Sequence, residues 1–325
     1  MFQKEIPNAA AADGKLLGVW EAAPCTASFR SMISSVIDTS GVAVVTGGAS
    51  GLGFEVASRL SRAGMAVVIL DVASTADLAA AEAALIAGAS ACASSNDTHP
   101  SAMAVRCDVT QFAACRAAAA AVEAAFPRRR ITFLHNNAGI MGDPAAGQIL
   151  AGPPPDKNWA NIFAVNVFGT ANILKAFLPG IIESGAAPSG KPSLVVTTSS
   201  VVGLVNHIPG PYSLSKFAVT AMCEQLSHEL DAMGPAAAHI SPHSLHPTIA
   251  ATGLFGGGAK AARALEASGV TTAGAIIDGL FRGLDEVRGM GVVCVGVVVW
   301  LILWWWWGLL AFVSAVAEAV TWHSS

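Results

Sequence analysis

Short β-branched runs alternate with longer Ala- and Leu-rich stretches of helical period from residue 41 of this 325-residue chain onward. The short runs predict buried strands, and the longer stretches, whose apolar residues recur every three or four positions, predict helices. Neighbouring parallel strands need a crossover helix between them, so this alternation predicts βαβ units and one parallel sheet. The fold class is therefore expected to be α/β.

Six strands and five helices follow from this pattern. Pro242 argues against a regular sixth strand, because proline cannot donate a ladder hydrogen bond. The predicted strands run from Val42 to Thr46, Ala66 to Asp71, Ala102 to Asp108, Ile131 to Asn136, Ser193 to Ser199 and near Ile240 to His246, and the helices begin near Leu52, Ala76, Gln111, Lys157 and Pro211.

Composition excludes disorder for most of the chain and gives no reason to expect a nucleic-acid partner. Hydrophobic residues make up 53% of the chain, another 32 residues are glycine, and only 12% are charged. The net charge is −4, whereas nucleic-acid binders neutralise phosphates with clustered Lys and Arg. The one dense basic run, Arg128 to Arg130, is too small a footprint for that role.

Disulfide and metal sites are not expected either. The six cysteines lie far apart without a C-x-x-C pair, which is typical of reduced, packed thiols. His239, His243 and His246 form the one histidine cluster, and on a strand the first two would face one side and the third the other.

A glycine-rich turn follows the first predicted strand and opens the first predicted helix. Residues 46–53 read T-G-G-A-S-G-L-G. Without Cβ atoms, the backbone can approach a pyrophosphate closely and present N–H groups at the positive end of a helix. The turn therefore predicts a nucleotide cofactor, held by Gly47, Ser50, Gly51, Leu52 and Gly53.

Asp71 ends the second predicted strand, 18 residues after Gly53. A carboxylate at about this distance accepts hydrogen bonds from a ribose in dinucleotide-binding folds, although it could instead cap the next helix. Asp71 would repel a 2′-phosphate, and residues 72–74 supply no cation to hold one. We therefore expect NAD as the preferred cofactor, with NADP left open.

The one tyrosine of the chain, Tyr212, lies four residues before Lys216. Positions i and i+4 of a helix share a face, so the ammonium can lie near the phenol. A nearby cation lowers the pKa of a phenol, and a tyrosine tuned in this way can act as a general acid or base near neutral pH. The alternative is a buried tyrosine beside a solvated lysine.

Together, the glycine turn and the Y-x-x-x-K pair resemble the short-chain dehydrogenase/reductase family. The resemblance runs from about Val42 to Thr252. Further motifs occur in the family's order, namely N-N-A-G at 136–139, an acidic residue at the end of the third strand, a helix asparagine and S-S-x-x-G at 199–203.

The resemblance implies a single Rossmann-type, doubly wound parallel sheet with helices on both faces. It also implies hydride transfer between a nicotinamide cofactor and a small alcohol or carbonyl substrate, in a homodimer or homotetramer. Tyr212 would move the proton, and Lys216 would lower the tyrosine pKa and hold the nicotinamide ribose. Ser200 would bind the reacting oxygen, and Asn166 would anchor a water in the proton relay. The other cofactor contacts that it implies are Asp108 and Val109 at the adenine, Asn137, Ala138 and Gly139 along the cleft, and Pro247 and Thr252 near the nicotinamide.

Two departures from the family's pattern bear on activity. The interval from Ser200 to Tyr212 is one residue shorter than usual, and a displacement of about 1 Å at such a site can cost on the order of a hundredfold in rate. Thr248 stands where the family has glycine, and a β-branched residue tolerates few of glycine's conformations. The alternative function is therefore a nucleotide-binding protein with weak or no turnover.

Three regions are expected along the chain: a poorly ordered extension over 1–40, the catalytic domain over 41–288 and an apolar tail over 289–325. Residues 289–317 carry no charge. Residues 291–297 could form a last sheet strand, which leaves 298–317, about 30 Å of helix and enough to span a bilayer. The alternatives to a membrane anchor are an apolar strand with an oligomer interface, or a tail outside the natural reading frame.

The charges around this run predict its orientation in a membrane. Arg282 and Arg288 precede the run and no Lys or Arg follows it, so the catalytic domain is expected on the cytoplasmic side. A protein without the anchor is expected in the cytoplasm. A membrane-bound enzyme would suit a lipophilic substrate.

Overall fold

The structure, a computed structural model, describes residues 33, 37–90, 102–142, 149, 154–206, 208–247, 276, 277, 280, 281 and 291–295. Within these residues, seven parallel strands form one sheet. The strands are β1 (Val42–Thr46), β2 (Ala66–Asp71), β3 (Ala102–Arg106), β4 (Ile131–Asn136), β5 (Ser193–Thr198), β6 (Ile240–Pro247) and β7 (Gly291–Val295). The helices are α1 (Gly51–Arg62), α2 (Thr75–Ser90), α3 (Phe112–Ala125), α4 (Lys157–Phe163), α5 (Thr170–Ser184) and α6 (Pro211–Ala232).

Three short helical turns complete the described elements. A π-helical turn, Ala164–Gly169, joins α4 to α5, and 3-10 turns lie at Val201–Gly203 and Gly234–Ala236. The six predicted strands and the five predicted helix starts are confirmed to within two residues. β3 differs most, because it ends at Arg106 and leaves Asp108 in the loop that follows.

The strand order β3-β2-β1-β4-β5-β6-β7 confirms a doubly wound, Rossmann-type sheet. The chain runs outward from β1 to β2 and β3, and then crosses back to place β4 on the other side of β1. In open α/β sheets, ligands bind at such a switch point, outside the carboxyl ends of the strands. The predicted site residues follow the ends of these same strands.

Helices cover both faces of the sheet, as the central strand β1 shows. All of its residues are buried. Val45 belongs to the same buried cluster as Leu60 of α1, whereas Val44 belongs to a second cluster with Phe177 of α5. Burial on both faces accounts for the continuous apolar runs in the sequence, which parallel strands require.

Pro242 does not interrupt β6, contrary to the argument against a regular strand there. The carbonyls of His239 and Leu245 accept hydrogen bonds from β5, so the odd-numbered residues of β6 turn their backbone groups toward β5. The N–H that Pro242 lacks would therefore face β7, where pairing begins one residue later, at His243. The proline thus removes no bond of the ladder.

Residues on both sides of the stretch 41–288 contact the sheet domain in the structure. Residues 37–40 were assigned to a poorly ordered extension, but Ile37 is fully buried and the Asp38 carboxylate accepts a hydrogen bond from Ser189 at 2.8 Å. At the other end, β7 pairs with β6, so 289–317 cannot be one continuous helix and the alternative of a last strand is confirmed for 291–295. Residues 298–317 lie outside the described part of the chain.

One helical stretch among the described residues, 157–184, is long and apolar enough to cross a membrane. It comprises α4, the π-helical turn and α5. Ile173, Phe177 and Ile181 of α5 are buried against the sheet, so this stretch is a core helix of the domain.

Candidate active site

The glycine turn lies between the end of β1 and the start of α1, as predicted. Gly47 and Gly51 have φ angles of 61° and 57°, a region that favours glycine. A Cβ on Gly53 would lie 2.2 Å from the carbonyl oxygen of Gly47, so the helix can approach the turn only without a side chain there. Ser50 precedes α1 and its side chain makes no capping hydrogen bond, while Leu52 is half-buried against the core. The first N–H groups of α1 are thus suited to an anion.

The N-N-A-G segment after β4 fastens this turn to the next strand. The Thr46 hydroxyl accepts hydrogen bonds from the backbone N–H groups of Asn137 and Ala138 at 2.8 and 2.9 Å. The Asn137 amide donates to the Thr46 carbonyl at 3.1 Å. A Cβ on Gly139 would lie 3.3 Å from Asn166 Oδ1 and 3.4 Å from Lys216 Nζ, which places this segment between the turn and the predicted catalytic residues.

Asp71 lies at the end of β2 and faces the glycine turn. One carboxylate oxygen accepts a hydrogen bond from the Ala49 N–H at 3.0 Å, and the other accepts one from Ala73 at 3.1 Å. The Ser74 hydroxyl, not Asp71, accepts the hydrogen bond from Asp77 N–H in the first turn of α2. The alternative that Asp71 only caps the next helix is therefore wrong.

The loop after β3 holds the two predicted adenine contacts in different environments. Asp108 is exposed, and its carboxylate accepts hydrogen bonds from the N–H and hydroxyl of Thr110. Val109 is buried, and its carbonyl accepts a hydrogen bond from Asn172 at 2.9 Å. Their contact with an adenine stays a prediction.

Pro247 ends β6 beside the site, whereas Thr248 and Thr252 lie outside the described residues.

Tyr212 and Lys216 lie one turn apart in α6, which begins with Pro211 in the first helical position. Lys216 Nζ is 5.8 Å from the centre of the Tyr212 ring. The lysine is 4% exposed and donates a hydrogen bond to the Thr198 carbonyl at 2.8 Å, so the alternative of a solvated lysine is wrong.

The short interval between Ser200 and Tyr212 still brings the two side chains together. The Ser200 hydroxyl lies close enough to the Tyr212 phenol to lower the pKa of that phenol. A Cβ on Gly203 would lie 2.7 Å from the Lys216 carbonyl oxygen, so the 3-10 turn after Ser200 packs against the backbone of α6 itself. Close packing at this glycine lets the loop be short without separating the serine from the tyrosine.

The expected lowering of the Tyr212 pKa by Lys216 is not found in the protein alone. Burial raises the pKa of the Tyr212 phenol to about 12, and the hydrogen bond with Ser200 opposes this only in part. Burial likewise lowers the pKa of Lys216 to about 8. Desolvation dominates because these groups lie among neutral partners, and burial disfavours the charged form of each. At pH 7 the lysine still carries its charge, since its pKa of about 8 is above that pH. At pH 7 the phenol of the tyrosine is protonated.

Asn166 lies in the π-helical turn and connects two parts of the site. Its side-chain oxygen accepts a hydrogen bond from Ile140 N–H at 2.8 Å, and its amide nitrogen donates to the Ile140 carbonyl and to Ser215 Oγ, each at 2.9 Å. Ser215 in turn donates to the Tyr212 carbonyl at 2.6 Å. The asparagine thus holds the loop after Gly139 against the helix that carries Tyr212.

Thr198 and Ser215 belong to the site but were not predicted. Besides accepting from Lys216, Thr198 donates through its hydroxyl to Asn137 Oδ1 at 3.2 Å and contacts His135 Nε2 at 2.9 Å. Burial lowers the pKa of His135 to about 3, so this imidazole is neutral. The one sequence signal for a role of Thr198 in the site was its position at the end of a strand, and threonine is common at such positions.

Among the described residues, no group of His, Cys, Asp or Glu could hold a metal ion.

The arrangement of these motifs matches a known family over most of the described chain. A family model described as short chain dehydrogenase matches residues 41–260. The chain belongs to the short-chain dehydrogenase family. Within this family, 1-deoxy-11-beta-hydroxypentalenate dehydrogenase of Streptomyces avermitilis is 34% identical over 191 residues, which are 58% of this chain and 63% of that enzyme. This chain therefore spans less than two thirds of that relative's length.

Two solved structures share the fold, the first of them described as a short-chain dehydrogenase/reductase. One from Burkholderia phymatum, in complex with NAD, has 27% identity and a TM-score of 0.61, and the match covers 78% of this chain and 88% of that one. RhlG of Pseudomonas aeruginosa, in an active-site complex with NADP, has 23% identity and a TM-score of 0.61 over 78% of this chain and 94% of that one. The second likeness concerns the fold alone. The two complexes contain different nicotinamide cofactors.

Replacing Lys216 with methionine is expected to stabilise the protein at neutral pH. The lysine pKa is lowered from 10.5 to about 8, so the unfolded chain binds more protons than the folded one between these pH values. The destabilising charge burial is complete below pH 8 and fades as the pH rises toward 10.5. Urea unfolding should therefore show Lys216→Met more stable than the parent by about 1–2 kcal/mol at pH 7, with a smaller difference at pH 9.5.

The exposed Lys175, whose substitution with methionine should not produce this pH-dependent difference, is the matched control. A Lys216→Met advantage that stays constant from pH 7 to 9.5 would show that the lysine is charged throughout in the folded protein.

Proposed function

We propose that this protein is an oxidoreductase that transfers hydride between NAD(H) and a secondary alcohol or ketone. The observation that carries the proposal is the convergence of Asn166, Ser200, Tyr212 and Lys216 on one side of the sheet's carboxyl edge, next to the glycine turn. A bound nicotinamide would supply or accept the hydride. The chain's own residues would then transfer the proton and stabilise the charge that develops on the substrate oxygen.

The protonation state of the site suits carbonyl reduction at neutral pH. A neutral Tyr212 can donate its proton to the developing alkoxide, and the Ser200 hydroxyl can donate a second hydrogen bond to the same oxygen. Donors aimed at developing oxyanion charge lower the barrier by a few kcal/mol each. Oxidation of an alcohol would require the phenolate, which is scarce while the pKa of Tyr212 is about 12.

The residues around the glycine turn fit a dinucleotide, and Asp71 favours NAD. Its carboxylate is held by the Ala49 N–H of the turn, so a ribose bound there would meet a fixed negative charge. That charge accepts hydroxyl hydrogen bonds and repels a phosphate. Neither Val72 nor Ala73 nor Ser74 offers a compensating cation.

The second candidate is a nucleotide-binding protein with weak or no turnover. Thr248 favours this alternative, because it stands where the family has glycine and a β-branched residue tolerates few of glycine's conformations. Cofactor binding without turnover on any substrate would identify it.

Tyr212→Phe is expected to reduce turnover at least a hundredfold while leaving cofactor affinity nearly unchanged. The substitution removes the proton donor but keeps the ring and its packing. The parent and the variant should be compared on a broad panel of ketones and secondary alcohols with NAD(H) and NADP(H), alongside calorimetry of cofactor binding. Equal turnover by both proteins would show that Tyr212 does not move the proton.

Asp71→Ser is expected to shift the cofactor preference toward NADP(H) by tenfold or more in kcat/KM, because the repulsion of a 2′-phosphate is removed. Asp77→Ser is the control, since Asp77 lies in the first turn of α2 and bonds Ser74 instead of the glycine turn. Its cofactor preference should match that of the parent. An unchanged ratio in Asp71→Ser would refute the role given to this carboxylate.

We further propose that residues 298–317 attach the protein to a membrane, with the catalytic domain on the cytoplasmic side and a lipophilic substrate drawn from the bilayer. Truncation after Val297 should release the protein from carbonate-washed membranes and keep it folded. Truncation after Arg288 would also remove β7 from the sheet, so it should lower the thermal midpoint as well. Membrane association that survives truncation after Val297 would contradict the anchor.

A further inference from the structure

His246 links the end of β6 to the loop that carries Ser200. The residue is 1% exposed. Its Nδ1 lies 3.0 Å from the Ser200 carbonyl oxygen, and its Nε2 lies 2.9 Å from Ser244 Oγ. The imidazole therefore bridges its own strand to the residue that leaves the neighbouring strand β5.

These two partners determine which nitrogen carries the proton. A carbonyl oxygen can only accept, so Nδ1 must be the donor to Ser200. Burial lowers the pKa of His246, which keeps the imidazole neutral at pH 7. Nε2 then has a lone pair and accepts the hydrogen bond of the Ser244 hydroxyl. All the polar atoms of this buried ring are paired in one arrangement.

The contact lies where the backbone pairing of β5 and β6 ends. The last bond between them runs from Ser199 N–H to the Leu245 carbonyl at 2.8 Å. One residue further along both strands, a hydrogen bond from the His246 side chain to the Ser200 carbonyl takes the place of a backbone bond between β5 and β6. The same carbonyl accepts the N–H of Gly203 at 2.9 Å, so both of its lone pairs are used.

Two bonds on one carbonyl restrain the peptide plane after Ser200, and with it the position of the serine side chain. The Ser200 hydroxyl lies near the Tyr212 phenol on one side and 3.5 Å from the Pro247 carbonyl on the other. A small rotation of the peptide would move the hydroxyl away from the tyrosine. Rate is sensitive to such movement, since about 1 Å can cost on the order of a hundredfold.

We infer that His246 is a positioning residue for catalysis: its Nδ1–H fixes the Ser200 carbonyl and thereby holds the Ser200 hydroxyl beside Tyr212. This inference rests on the proposed function, in which Ser200 and Tyr212 act on the substrate oxygen. His246 itself touches neither substrate nor cofactor.

Three variants of His246 separate the N–H donor from the bulk of the side chain. Asparagine at 246 places an N–H at the position of Nδ1, whereas glutamine places it one bond further out, and leucine has none. His246→Asn should keep kcat within about threefold of the parent, and His246→Gln and His246→Leu should lower it about tenfold to a hundredfold. The affinity for NADH, measured by calorimetry, should stay within twofold in all of them. His239→Leu, which removes a histidine bond to the Ile181 carbonyl at the other end of β6, is the control and should keep kcat.

A double-mutant cycle with Ser200→Ala tests whether the effect passes through the serine. With Ser200 already removed, His246→Gln should lower kcat no further, because it has no hydroxyl left to misplace. Losses that simply multiply would overturn the inference, as would an equal loss of kcat in His246→Asn and His246→Gln.

Hydrogen exchange provides a readout that does not depend on turnover. Without the His246 bond, the peptide that covers Val201–Gly203 should exchange at least tenfold faster in His246→Gln than in the parent, and His246→Asn should resemble the parent. Unchanged exchange in His246→Gln would refute the positioning role. If the parent turned over no substrate but the exchange pattern held, the proposed function would fail while the structural role of His246 stood.

Discussion

The site depends on a buried ammonium whose one direct partner in the described structure is a carbonyl oxygen. Lys216 Nζ donates to Thr198 at the end of β5, and no carboxylate among the described residues pairs with it there. A buried charge without a counter-charge is costly, so the rest of the fold must hold it in place. At the carboxyl ends of the parallel strands, backbone and hydroxyl groups face the crevice. The Thr198 carbonyl is one of these groups, and its hydrogen bond stabilises the buried ammonium.

Thr198 transmits this constraint to the cofactor side of the crevice. Its carbonyl receives the lysine, while its hydroxyl reaches Asn137, which in turn holds the glycine turn through Thr46. The predicted catalytic half and the predicted cofactor half are therefore one hydrogen-bonded unit. The proposed hydride transfer would need both halves held in a fixed relation, and these hydrogen bonds supply that connection.

Sequence periodicity was enough to predict six of the seven described strands, the starts of five helices and the α/β class, because burial on both sheet faces leaves continuous apolar runs. The glycine turn and the Tyr212–Lys216 pair were also predictable, since each depends on local spacing. Contacts such as His246 to Ser200 were not, because they join residues 46 positions apart through an ordinary side chain. The sign of the Tyr212 pKa shift was wrong for a similar reason: the sequence shows a neighbouring lysine but not the burial that outweighs it.

The π-helical turn that carries Asn166 has a consequence for how this chain can change in length. Such a turn is an α-helix with one extra residue, and each residue advances the helix by about 100°. Deleting one residue between Val167 and Gly169 would restore a regular helix but rotate Asn166 relative to α5, which is packed into the core. Insertions and deletions are therefore tolerated far less here than in the surface loops. The register of this helix is set both by the hydrogen bonds of Asn166 and by the packing of α5.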